Sequence, residues 1–398
     1  MTKFLYFDHA ATTPVDPAVL EAMLPYYTEK FGNPSSIYQL GQEARRAVEA
    51  SRETVAVLLD VTPREVIFTS GGTEANNLIL FGAAAVYEKL GKHIITSKIE
   101  HDSVLKPIEE LERRGFEVTY LDVGEDGIVK PDDVRAALRP DTILVSLMYA
   151  NNEIGTIQPI REIAWIISEH KKKHFKLTSS TFPLPIFHTD ACQASAYLSL
   201  SIKELGVDAM TINSGKIYGP KGSGALYLKE GASVLPQQYG GGQEHRHRSG
   251  TENVPAIVGF AKALELVQLR RDNETKRLLP LRDELIDGIL KTIPESRLNG
   301  HATRRLPNNV NVSFKGLEGE TILMRLDMAG IAASSGSACT SGSLEPSHVI
   351  RALGLTDEWT HSSTRFTLGH ENTQDQVKHV LEVLPPLIKE LREFSPFS

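Results

Sequence analysis

Cysteine is nearly absent from this chain, whose 398 residues hold only Cys192 and Cys339. Two thiols cannot form a disulfide framework for a chain of this length, so a reducing compartment is favoured and each thiol needs its own explanation. An excess of positive charge is lacking too. Against 50 Asp and Glu stand 43 Lys and Arg, a formal charge of −7. The summed field repels phosphates, which argues against a general nucleic-acid or anionic-membrane binder. No apolar run reaches the roughly 20 residues that span a bilayer. The first residues hold one lysine and a four-residue apolar run that ends at Asp8, too short for a signal-peptide core. The expectation is a cytoplasmic protein without a stable nucleic-acid or membrane partner.

What is there reads as an ordinary globular chain, 41% hydrophobic and 23% charged. Short β-rich runs at 65–69, 93–96, 117–121, 142–148, 186–189, 208–212 and 224–228 alternate with helical patterns. This predicts βαβ units, hence an α/β fold with a mainly parallel central sheet and helices on both faces. From residue 254 an amphipathic helix runs to Leu269. Charged helices around 278–290, a strand at 309–314 and a terminal helix near 374–392 follow. The predicted units are a large domain over 14–260 and a smaller α/β domain made of 1–13 with 261–398. The basic run from His170 to His174 and the segment up to Pro185 read as a solvated helix end and a surface loop.

In parallel sheets, ligands bind at the carboxyl ends of the strands. The residues that follow each run are Ser70-Gly71-Gly72-Thr73-Glu74, Asn151-Asn152-Glu153, Asp190 with Gln193, and Lys216. Gly71-Gly72-Thr73 between a strand and a helix can offer N–H groups and a hydroxyl to an anion. It matches neither the nucleotide P-loop nor the dinucleotide fingerprint. A carboxylate and an amine at one sheet edge, beside a phosphate cradle, suit pyridoxal phosphate: the lysine holds its aldehyde and the carboxylate its pyridine nitrogen. Either residue alone reads equally as a helix cap or a surface lysine.

Five motifs in order extend this pattern: Asn151-Asn152-Glu153-Ile154-Gly155, Thr189-Asp190-Ala191-Cys192-Gln193, Gly215-Lys216-Ile217-Tyr218-Gly219-Pro220-Lys221-Gly222, Arg248-Ser249-Gly250-Thr251 and Ser334-Ser335-Gly336-Ser337-Ala338-Cys339. Together they resemble the group I (NifS/IscS-like) cysteine desulfurases of the class V aminotransferase family. The resemblance implies the fold-type I architecture of pyridoxal-phosphate-dependent transferases and conversion of L-cysteine to L-alanine. By position, Lys216 would carry the cofactor and remove the substrate Cα proton. Asp190 would pair with the pyridine nitrogen, Gln193 with the ring hydroxyl oxygen, and Asn152 with cofactor and substrate. Gly72 and Thr73 would bind the phosphate, with Asn213 and Ser214 beside them. Thr251 would reach that phosphate in a second subunit, which implies a homodimer. His101 would stack over the ring and handle the substrate thiol's proton, and Arg365, with Asn33, would receive the substrate carboxylate.

Cys339, among small residues, would accept the sulfur as a persulfide for an iron–sulfur scaffold protein or for tRNA thiolation. Cys192 reads as a small packing residue, and no metal is implied. One departure stands out: Asn213-Ser214-Gly215 replaces the family's Ser-x-His before the lysine. Losing a hydrogen bond to a charged group costs about 1.5–3 kcal/mol. Two other readings remain open at the sequence level: a selenocysteine lyase or related class V enzyme, and a catalytically weak partner-binding subunit that keeps the fold.

Overall fold

The computed structural model describes residues 4–174, 182–335 and 346–394. Its strands, in chain order, are β1 (Leu5–Tyr6), β2 (Val66–Thr69), β3 (His93–Ser97), β4 (Glu117–Leu121), β5 (Thr142–Ser146), β6 (Ile186–Asp190), β7 (Ala209–Asn213), β8 (Gly224–Leu228), β9 (Ser296–Leu298), β10 (Asn309–Phe314), β11 (Ile331–Ala332) and β12 (Thr364–Thr367). Seven of them form one sheet in the order β2-β8-β7-β6-β5-β3-β4. All neighbours are parallel except β8, which runs antiparallel to β2 and to β7. β2, β3, β5, β6 and β8 are buried at every residue. Because side chains alternate across a strand, Phe68, Ile95, Val145, Phe187 and Met210 enter one apolar cluster, and Ile67, Ile94, Leu144, Ile186 and Ala209 enter the other. Helices cover both faces, which is why these strands read as apolar runs without a polar side.

The remaining strands form two small sheets, antiparallel β12-β10-β9 and parallel β1-β11. The first residues therefore pair with a strand some 325 positions away, Leu5 opposite Ile331. One helix differs from the sequence reading. The pattern that stops at Leu269 and resumes at 278 is a single helix, Val254–Thr292, unbroken through residue 260. Its charged middle stays helical on the surface, where Glu274 and Arg277 pair across one turn at 2.6 Å. The basic run also differs in part: Lys171, inside helix Ile160–His174, is ion-paired to the buried Asp208, while Lys172 is solvated beside Glu169. Residues 175–181 of the expected surface loop lie outside the described residues. Among those described, no helix is long and apolar enough to cross a membrane.

The apolar runs end in polar groups at one edge of the large sheet: Thr69, Ser97, Ser146, Asp190 and Asn213. One close approach fixes two of these ends. Gly224 pairs with Thr69 on one side and Asn213 on the other, and a Cβ there would lie 2.6 Å from the Ile212 carbonyl oxygen and 2.9 Å from Gly71 Cα. Gly224→Ala is expected to destabilise the fold by about 1–3 kcal/mol, because β2 and β7 must spread. A melting temperature equal to the parent's would contradict this packing argument.

Candidate active site

Two of these polar strand ends, Asp190 and Asn213, line a cavity of about 680 Å³. Nine of the residues singled out from the sequence line it: Gly72, Thr73, His101, Asn152, Asp190, Gln193, Asn213, Lys216 and Arg365. Apart from Gly72 and Thr73, which open one helix, they arrive on different strands, helices and loops, so only the assembled fold brings them together.

Asp190 is the last residue of β6 and only 7% exposed. Its Oδ2 accepts from Asn76 Nδ2 at 2.8 Å and its Oδ1 from the Cys192 N–H at 2.9 Å. Beneath it, His188 is held between Ser146 Oγ (2.9 Å) and Thr211 Oγ1 (3.0 Å). Complete burial pushes His188 down to about 4, so it is neutral at physiological pH. Glu100 is buried as well, with Ser97 Oγ at 2.5 Å and the Met148 N–H at 3.1 Å from its Oε1. Burial pushes this carboxyl up to about 8. At neutral pH it is mainly protonated and adds little negative charge beside Asp190.

Lys216 closes a short 3-10 turn after β7. Its amine donates to the carbonyls of Ala10 (2.8 Å) and Ala11 (2.5 Å). Gln193 Nε2 reaches the same Ala10 carbonyl at 2.9 Å. The chain at 8–13 thus lies against the lysine turn, and the Thr13 N–H also donates to the Gly215 carbonyl at 3.1 Å. Gly72 and Thr73 open helix Gly72–Tyr87, whose first N–H groups carry the partial positive charge that favours anions. Glycine is required at 72 because a Cβ there would lie 2.7 Å from Cys192 Sγ. His101 caps helix Asp102–Arg113, its Nδ1 accepting the Ser103 N–H at 3.0 Å. Arg365, in β12, donates to the Asn152 carbonyl at 2.9 Å and to Asp8 Oδ1 at 2.8 Å.

Several expected residues stand elsewhere. Ser214 is buried, and its hydroxyl is directed at Gly219, where a Cβ would meet it at 2.2 Å. It does not line the cavity, so of the two substitutes for the family's pair only Asn213 does. The Asn213 Oδ1 accepts the Gly215 N–H at 3.1 Å, which leaves its amide nitrogen as the donor. Asn33 is an exposed turn residue whose Oδ1 accepts the Ser35 N–H at 2.9 Å, and Thr251 is exposed beside Arg248 and Ser70. Neither is brought to this chain's cavity. Cys339 lies outside the described residues. Cys192 is half-buried and forms part of the cavity wall, and burial pushes its thiol well up, which keeps it protonated and inert.

Sequence reasoning missed Asp8, Asn76, Glu100 and Glu153. Asp8 was visible only as the end of an apolar run. Glu153 lies in the Asn151–Gly155 motif, whereas Asn76 and Glu100 lie in none of the motifs above, and nothing in residue type marks a polar side chain that folding will bury.

The arrangement has a definite chemistry. A carboxylate and an amine face one cavity that has an anion cradle at one end and a guanidinium at the other. Among the described residues the buried Asn152 Oδ1 and Arg365 Nε have no hydrogen-bond partner, and such atoms are normally satisfied by a ligand or water. These groups fit pyridoxal phosphate with an amino-acid substrate. The family model described as Aminotransferase class-V matches residues 5–380. Cysteine desulfurase IscS of Dictyoglomus turgidum is 49% identical over 398 residues, covering all of this chain and 98% of that protein. A solved NifS-like protein superimposes with a TM-score of 0.88 at 36% identity, covering 98% of this chain and 100% of that one. Another solved relative, SspA in complex with cysteine, gives 0.79 at 33% identity over 92% of this chain and 98% of that one.

Two predictions follow from the geometry. His188 has a folded pKa below its unfolded value, so its contribution to stability is present above about 6.5 and is lost as pH falls towards 4, about 3 kcal/mol in all. His188→Gln is expected to flatten that part of the acid limb of melting temperature against pH; an unchanged limb would show that other groups cause it. At Gly215 a Cβ meets nothing nearer than Asn213 Oδ1 at 3.7 Å. Gly215→His should therefore be tolerated and slow pyridoxal phosphate release by about tenfold, one charged hydrogen bond's worth, as measured by loss of visible absorbance after dilution.

By motif order, by cavity chemistry and by similarity along its whole length, the chain belongs to the class V aminotransferase family and, within it, to the pyridoxal-phosphate-dependent cysteine desulfurases.

Proposed function

We propose that this cysteine desulfurase converts L-cysteine to L-alanine, with Cys339 taking the sulfur as a persulfide and passing it to an iron–sulfur scaffold protein or another acceptor such as the tRNA-thiolation machinery. One observation carries the reading: Lys216 and Asp190 face a cavity whose rim holds both ends of the segment that bears Cys339. Ser334, five residues before Cys339, exchanges two backbone hydrogen bonds with Arg365 (2.6 and 3.1 Å). Ser347, eight residues after it, donates to Glu153 Oε2 at 2.5 Å. Arg365 and Glu153 both line the cavity. Ser334 is only five residues from Cys339, a stretch of chain that spans at most roughly 17 Å, which supports Cys339 as the sulfur acceptor.

Pyridoxal phosphate, when bound, supplies an aldehyde for amines and a ring that accepts electrons. Asp190, its carboxyl oxygens fixed by Asn76 and the Cys192 N–H, would pair with the ring nitrogen. Gly72, Thr73 and Asn213 would hold the phosphate. The Lys216 amine removes the substrate Cα proton; its present partners are two carbonyl oxygens, which an amine can exchange for a substrate without leaving a buried charge behind. Arg365 receives the substrate carboxylate, with its fork kept in plane by Asn152 and Asp8. His101 takes the proton of the substrate thiol on Nδ1, giving up the bond that this nitrogen accepts from the Ser103 N–H. Cys339 then attacks that sulfur as a thiolate: the Cβ–S bond breaks with its electron pair left on carbon, an S–S bond forms, Cβ gains a proton and Lys216 returns a proton to Cα to leave alanine.

In this reading residues 14–260 hold the cofactor, and 1–13 with 261–398 contribute Arg365 and the cysteine segment. Thr251 and Asn33, exposed and away from this chain's cavity, support a homodimer in which they serve the other copy. The two reduced thiols and the −7 charge support a cytoplasmic setting. Cys339→Ser is expected to retain the visible absorbance of bound pyridoxal phosphate while abolishing alanine and persulfide formation from L-cysteine. Sulfur release at the parent rate would sink the assignment of Cys339.

A further inference from the structure

The backbone at residues 244–246 is unusual. Glu244, His245 and Arg246 have φ values of 44°, 56° and 69°, three consecutive residues with side chains in the left-handed region. L-residues avoid such a turn because Cβ crowds the following carbonyl, so it persists only where its surroundings over-determine it. Here the surroundings are a buried ion pair. Arg52, on helix Gln39–Leu59, places its two terminal nitrogens 2.8 Å from the two Glu244 oxygens. The two side chains are 3% and 2% exposed.

The same pair completes the sheet. β2 is an edge strand with only β8 beside it. On its open side Arg52 donates to the Val66 carbonyl at 2.7 Å, and Glu244 accepts the Phe68 N–H at 2.8 Å. Two residues past Phe68 begins the Ser70–Thr73 turn. The loop grips that turn from its far side as well: Arg248 Nε donates to Glu74 Oε1 at 3.0 Å, and Glu74 Oε2 accepts the Ser70 N–H at 2.9 Å. A buried ion pair is commonly no more stabilising than a well-packed apolar pair of the same size. Its value here lies in what it orients.

We propose that Arg52 and Glu244 are positioning residues for the phosphate cradle: through the edge of β2 and through Arg248 with Glu74, they hold the Ser70–Thr73 turn in the shape that receives the cofactor phosphate. This rests on the cofactor reading above. The pair touches neither cofactor nor substrate, so its effect is on cofactor retention rather than on the reacting atoms.

The test compares the pyridoxal-phosphate-loaded parent with the double substitution Arg52→Met, Glu244→Leu, which removes both charges and leaves neither uncompensated. The double variant is expected to melt somewhat below the parent: the two charges themselves are replaced at little cost, but the Val66 carbonyl and the Phe68 N–H lose their partners. Its amides at 70–73 and 244–250 should exchange faster, and it should release pyridoxal phosphate about tenfold faster, a coupling of ordinary size for residues in one network. Arg248→Met should give a comparable release rate and add little to the double variant. An unchanged release rate in the double variant overturns the proposal. So does a release rate that rises only in step with a lowered melting temperature, which would make the pair merely structural, and so does full additivity with Arg248→Met. If the parent itself shows no visible absorbance with pyridoxal phosphate, the cofactor reading fails separately. Exchange at 70–73 in the unloaded proteins then decides the clamp: faster exchange in the double variant supports it, and equal exchange overturns it.

Discussion

The site depends on one buried negative charge. A carboxylate taken out of water is costly unless hydrogen bonds compensate it, and Asp190 is supported by Asn76 and by the Cys192 N–H. Its ionisable neighbours are arranged so as not to oppose it. His188 below is neutral, and Glu100 to one side is mainly protonated, each because burial disfavours its charged form. The same desolvation that makes Asp190 expensive silences the groups around it. The charge of Asp190 is therefore directed into the cavity, where a protonated ring nitrogen can use it.

A second constraint joins the two ends of the chain. Arg365 in β12 bonds to Asp8 and to the Asn152 carbonyl, and the Glu153 carbonyl accepts from both Asn309 (3.0 Å) and Asn311 (3.1 Å) of β10. These bonds pin the small sheet to the Asn151–Glu153 loop of the large one. The guanidinium that would recognise a substrate carboxylate is thus also a strut between the two halves. Recognition and architecture share one residue, which explains why Arg365 is only 2% exposed although it borders a cavity.

Much of this was legible in the sequence, and the reasons are physical. β4, β8 and β10 match their predicted spans residue for residue: β8, buried at every residue, is an apolar run, whereas the partly exposed edge strand β4 and strand β10 alternate polar with apolar or β-branched residues. Ligands gather at the carboxyl ends of parallel strands, so the residues after each run pointed to the cavity. The long helix was split in the reading because the charged turns around Arg270 and Glu274 interrupt the apolar stripe, whereas a helix that is partly free of the core needs no stripe there. Lys171 read as solvated because its run is basic, yet folding placed the buried Asp208 carboxylate beside it. Ser214 read as a phosphate donor by analogy with its neighbours, but the turn before Lys216 directs its hydroxyl the other way.

The sequence by itself determined the sheet, the order of the motifs and the chemistry of the principal groups, because hydrophobic period and residue type are local properties. Of the two cysteines it separated the roles, with Cys192 as a packing residue beside the cofactor, and Cys192 does lie on the cavity wall. Only the tertiary structure decided which carboxyls are silenced, which residues face the cavity and what holds the cradle in shape. Asp8 meets Arg365 across 357 positions, and Arg52 meets Glu244 across 192. Such contacts depend on how helices and strands stack in space, and burial, which keeps His188 neutral and Glu100 mainly protonated, exists only after that stacking is complete.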